Sequence, residues 1–250
     1  MGCECVKSRP LSPEEELTIQ TYEASLGFSS ISCSKFTKAL AEITSSPHLS
    51  RPQFEELIAR TGLRNCPLGN LEHPIVKLYT WLKTGTHWSA TKLIALSLVL
   101  SPGKWEKKVK IVFKAYVSRP QLEMDEAALQ EWLGDICLIA LKLIPEMSEG
   151  LLREENLSLE ATLIANYRKK QENCLEECTN FLKSKVLEGE AKSVSESALL
   201  GKSLSLQELF SSRSLRETAL SLWKGRKLPP SQTSKSQKQH AVDLILSPPS

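Results

Sequence analysis

Long apolar runs are missing from this chain. Its most apolar stretches, 93–100 and 136–144, fall far short of the roughly 18 to 20 residues that cross a bilayer, so they are expected to be core helices. A basic n-region followed by an apolar h-region is also missing, which argues against a secretory route. The seven cysteines (Cys3, Cys5, Cys33, Cys66, Cys137, Cys174 and Cys178) are odd in number and follow no framework spacing. They read as reduced cytosolic thiols. Charge of one sign is scarce as well: the formal net charge is +3, and no Lys/Arg stripe is interleaved with aromatics. Nucleic acid is therefore not an expected partner.

Catalytic sets are lacking too. His73 and His87 have no Ser or Cys in nucleophile-like surroundings. Gly201-Lys202-Ser203 resembles the end of a phosphate loop, but the first glycine of that motif falls on Glu196, whose charge would repel a phosphate. Cys174 and Cys178 lie four apart on one helix face without a partner pair nearby in sequence, so they read as a packed apolar face. The adjacent pairs Glu154/Glu155 and Glu176/Glu177 read as solvated helix faces. No enzyme activity and no cofactor is expected, and no catalytic, cofactor-binding or metal residue is assigned.

What the chain has is helical periodicity. Ser12 and Pro13 with Glu14 to Glu16 open a first helix. Further helices are expected over 34–44, 52–60, 74–83, 89–100, 104–116, 125–144 and 159–187. In the last, Leu163, Tyr167, Cys174, Cys178, Phe181 and Leu182 fall on one face. No strand is expected. The fold class is all-α, with a lipid-anchor segment at 1–11 and a helical domain at 12–187. A Ser-rich linker with an amphipathic helix occupies 188–225, and a Pro, Ser, Lys and Gln-rich disordered tail 226–250. Trp81, Trp88, Trp105 and Trp132 are expected in the core. Trp223 closes the amphipathic piece with Leu206, Leu209, Phe210, Leu215, Leu220 and Leu222, ahead of Lys224, Arg226 and Lys227. That piece docks on its own body, on a partner, or on an anionic membrane surface.

A short pattern recurs: Ile-Ser-Cys-Ser-Lys-Phe (31–36), Leu-Ser-Arg-Pro-Gln-Phe (49–54), Trp-Ser-Ala-Thr-Lys-Leu (88–93) and Met-Asp-Glu-Ala-Ala-Leu (124–129). Ser32, Ser50, Ser89 and Asp125 fit as N-caps, and the apolar residue before each packs inward. With the short loops between helices, this layout over roughly 15–187 resembles paired EF-hand units. The stretch 96–116, a helix ending near Gly103 followed by one ending Phe-Lys-Ala-Tyr, resembles the junction between successive hands.

A calcium loop needs oxygen ligands at positions 1, 3 and 5, Gly at 6 and a bidentate Glu at 12. With the inward apolar residue at position 8, position 12 falls on Lys35, Gln53, Lys92 and Ala128. In the loop before Met124, positions 1, 3 and 5 are Val117, Arg119 and Gln121, and position 6 is Leu122. The loops are degenerate, and no calcium is expected at them.

The start, Met-Gly-Cys-Glu-Cys-Val-Lys, resembles the dually acylated starts of Src-family kinases. It implies lipidation at Gly2, with Cys3 and Cys5 as palmitoylation sites that supply the second signal one acyl chain needs. Val6 stands where Ser or Thr is typical. An acylated start before a degenerate EF-hand-like region is also similar to the N-terminal part of myristoylated TLDc-type proteins, although the TLDc domain itself is missing. The expected function is a non-enzymatic adapter or regulator that meets protein partners, peripheral on the cytoplasmic face of a membrane through its anchor. The alternatives are a calcium-responsive sensor with divergent loops and a short TLDc-like regulator at lysosomal membranes.

Overall fold

The computed structural model describes residues 14–63, 68–117, 123–188, 192–202 and 209–225. Gly2, Cys3 and Cys5, and the tail 226–250, lie outside the described residues. The described chain is mostly helical, as the periodicity predicts. Its helices are α1 (Glu14–Ser25), α2 (Cys33–Ile43), α3 (Arg51–Thr61), α4 (Pro74–Trp81), α5 (Ala90–Leu100) and α6 (Trp105–Tyr116). They continue with α7 (Glu126–Leu138), α8 (Ile144–Glu154), α9 (Ser158–Glu172), α10 (Leu175–Val186), α11 (Glu196–Leu200) and α12 (Ser212–Gly225).

The recurring pattern sets the helix starts. Ser32 Oγ accepts from the Lys35 N–H at 3.3 Å, Ser89 Oγ from Lys92 at 3.3 Å, and Asp125 Oδ1 from Ala128 at 2.8 Å. At Ser50 the bond runs the other way, its N–H donating to Gln53 Oε1 at 2.9 Å. Each cap satisfies a donor that the first helical turn leaves free. The apolar residues in front of them, Ile31, Leu49, Trp88 and Met124, are all buried. The structure adds a copy that sequence reading passed over: Val194 is buried, and Ser195 caps α11 by accepting from the Ala198 N–H at 3.1 Å.

Strands are present where none was expected. They are β1 (His48–Leu49), β2 (Lys83–Thr84), β3 (His87–Ser89), β4 (Glu123–Met124) and β5 (Val194–Ser195). All are antiparallel, in the order β1-β3-β2 for one set and β4-β5 for the other. Two-residue pairings are too short to leave an alternating signature in sequence. Leu49 pairs with Trp88 and Met124 with Val194, so the capped loops meet in twos through their inward apolar residues.

Two helices differ from their expected course. The predicted 159–187 helix breaks after Glu172, where the Cys174 N–H turns back to the Gln171 carbonyl at 2.9 Å. The common face is split accordingly: Tyr167, Cys174, Cys178 and Leu182 are buried, while Leu163 is 44% exposed. By contrast, the helix predicted to end at Ile144 runs on to Glu154 through a π-turn at 139–143, where the Ile144 N–H bonds the Ile139 carbonyl. Pro145 explains the turn, because its ring has no N–H and clashes with the carbonyl four residues back. One contiguous apolar core links α1 to α12 and takes in Val194, Leu199, Phe210, Leu215 and Ala219.

Candidate functional site

Leu49 and Trp88 fill the space between one pair of loops, where Phe54 stacks on Trp88 at 4.3 Å and Lys83 Nζ lies 4.2 Å from the Trp88 ring. Among the described residues, no three His, Cys, Asp or Glu side chains gather in a way that would hold a metal.

From Leu209 on, the amphipathic C-terminal piece docks on its own body, while Leu206 lies outside the described residues. Phe210 is inserted between two buried indoles, 5.3 Å from Trp105 and 5.1 Å from Trp132. Further along, Arg216 is fully buried. Its Nη2 and Nε donate to Glu16 at 2.7 and 2.9 Å, and its Nη1 to Glu23 at 3.0 Å. Glu16 also accepts from the Tyr167 hydroxyl at 2.9 Å, and Glu23 from Ser212 at 2.7 Å. Burial alone would lower the Arg216 guanidinium, but its hydrogen bond to Glu16 and the charges of Glu23 and Glu16 hold it above its usual value. It is a fixed cation that ties α12 to α1 and α9.

The cysteine pair of α9–α10 gains a partner that sequence proximity hides. Cys137 of α7 meets Cys178, and both are fully buried. The hydrogen bond to Cys137, and then burial, push the Cys178 thiol upward, so it stays protonated and donates. The same hydrogen bond pulls the Cys137 thiol below its usual value against the opposing effect of burial, and the cluster packs α7 against α10.

Trp81 is the departure that matters most. Expected in the core, it is 49% exposed and stands on the rim of a cleft of about 300 Å³ between α4 and α8. The sequence gives no warning, because α4 is apolar on nearly every side and exposure depends on which neighbour arrives. α8 approaches closely at Gly150, where a Cβ would lie 2.6 Å from the Pro74 ring. Trp81, Leu78, Leu143 and Met147 form the apolar walls of the cleft.

Most charges in the cleft are matched. Glu72 accepts from Lys77 at 2.8 Å, and Glu149 faces Arg153 at 2.9 Å and Arg168 at 3.2 Å. Glu154 lies 3.8 Å from His73 Nε2. Glu146 is different: its Oε2 is buried without a hydrogen-bond partner. One turn before it, Lys142 Nζ sits 5.0 Å from the centre of the Trp81 ring.

Compared with known proteins, the chain matches no family model, no curated protein and no solved structure. Among the described residues, no helix is long and apolar enough to cross a membrane.

Proposed function

We propose that this chain is a non-enzymatic, EF-hand-like adapter or regulatory protein that works by binding protein partners. Acyl groups on Gly2, Cys3 and Cys5 tether it to the cytoplasmic face of a membrane. The observation that carries the reading is the coupling of capped helix-loop-helix units in twos, Leu49 with Trp88 and Met124 with Val194. With these residues at loop position 8, position 12 holds Gln53, Lys92, Ala128 and Ala198, none of which is the bidentate carboxylate that calcium requires. A paired-loop scaffold without ion ligands serves recognition rather than ion sensing.

The test compares the full chain with Gly2→Ala by membrane fractionation and proximity labelling in cells. The tethered chain is expected in the membrane fraction, and the variant in the soluble one with a different set of neighbours. Identical fractions and neighbours would remove the anchored adapter. The calcium-sensor alternative is addressed by tryptophan fluorescence: millimolar calcium is expected to leave emission unchanged, and a saturable shift would favour the sensor.

A further inference from the structure

We propose that the cleft between α4 and α8 is a recognition site for a basic side chain, arginine above all, carried by a partner polypeptide. Glu146 is its counter-charge and Trp81 its apolar wall. The site stands or falls separately from the membrane anchor.

Charge matching points to a cation. Glu72, Glu149 and Glu154 each face a basic side chain of the same protein, and Arg168 is further matched by Glu172 at 2.7 Å. Glu146 alone among the lining carboxylates keeps a buried oxygen without a donor. Glu146 is itself partly exposed, so a ligand can reach its carboxylate, and a charged donor bonds a carboxylate most strongly.

The wall beside Glu146 suits the same ligand. Trp81 already draws the Lys142 ammonium to 5.0 Å from its ring, inside the roughly 6 Å range of cation–π attraction. Lys142 is partly exposed, so a ligand can displace it into water. A guanidinium can place its donor edge on Glu146 while its methylenes lie along Trp81, Leu143 and Met147. The π-turn lies just ahead of Glu146, a local geometry that recurs at functional sites.

Size and rim favour a polypeptide over a free cofactor. At about 300 Å³ the cleft lies at the small end of ligand sites and suits one side chain. Leu71, next to the lining residue Glu72, is 61% exposed, and Trp81 is 49% exposed. They offer apolar contact to residues flanking an inserted arginine.

The test uses the ¹⁵N-labelled full chain and three probes: acetyl-Leu-Arg-Leu-amide, the same peptide with citrulline for arginine, and ethylguanidinium. The readout is the Trp81 indole N–H resonance, assigned by its loss in Trp81→Phe. Saturable movement with the arginine peptide is expected, with the indoles of the buried Trp88, Trp105 and Trp132 unmoved. Glu146→Gln should weaken that binding roughly ten-fold while leaving the buried indole resonances in place. The proposal is overturned if the citrulline peptide binds equally or Glu146→Gln binds unchanged. Ethylguanidinium binding as tightly as the peptide would overturn the polypeptide ligand.

Discussion

Replacing Arg216 tests whether the C-terminal helix is part of the fold. Its guanidinium and the Glu16 carboxylate are both fully buried, and two hydrogen bonds of 2.7 and 2.9 Å join them. Arg216→Ala leaves Glu16 as a buried anion with only the Tyr167 hydroxyl and Gln20 as donors. Breaking a buried pair from one side costs about 3–5 kcal/mol. For a protein of this size, that lowers Tm by roughly 6–20 °C. Guanidinium denaturation followed by far-UV circular dichroism gives the free energy, and a thermal scan gives the shift. The double variant Arg216→Met with Glu16→Gln is expected to recover at least half of the loss. An amide at position 16 still accepts from Tyr167 and leaves no charge at that position, while Glu23 keeps its bond from Ser212. A loss below about 1 kcal/mol for Arg216→Ala, or a double variant no better than the single one, would refute the reasoning.

Phe210→Ala removes the ring between Trp105 and Trp132 and should cost about 3–5 kcal/mol in chemical denaturation, with tryptophan emission shifting to the red. Gly150→Ala gains up to about 1 kcal/mol in helix propensity, yet the new methyl meets the rigid Pro74 ring at 2.6 Å. Overpacking of about 1–3 kcal/mol makes net destabilisation the expected result, and a rise in Tm would count against the close α4–α8 contact. Burial and the hydrogen bond to Glu155 push the Tyr22 phenol up to about 12. The fold favours the neutral phenol, so this contribution is complete below pH 10 and is lost as pH rises through about 12. Ultraviolet titration of the native protein should show one ionisation near there that Tyr22→Phe removes, and an unchanged titration would contradict it.

The helix starts were legible because a cap is a local event. Ser32, Ser89 and Asp125 each bond an N–H three residues ahead, and the apolar residue before each is buried whatever its partner. The copy at Val194–Ser195 carries the same signal. It was masked by Ser-rich surroundings that read as a linker. Broad periodicity served less well where one residue shifts the register, as at Pro145 and at the turn around Asn173. Tryptophans were the weakest inference, because hydrophobicity fixes the benefit of burial but not which residue obtains it. Trp81 remains half in water while Trp88 takes the core position across the same loop.

By itself, then, the sequence determined the all-α class and the capped helices, since each depends on residues within a turn or two of one another. Tertiary structure alone decided that Leu49 faces Trp88 and Met124 faces Val194, and that Cys137 meets Cys178. It also decided that Arg216 reaches Glu16 across 200 residues of chain. Such contacts form only when the whole core closes, and their energies depend on burial that no local stretch can supply. The cleft beside Trp81 is of the same kind: its walls come from α4 and α8, which meet closely at Gly150 and Pro74.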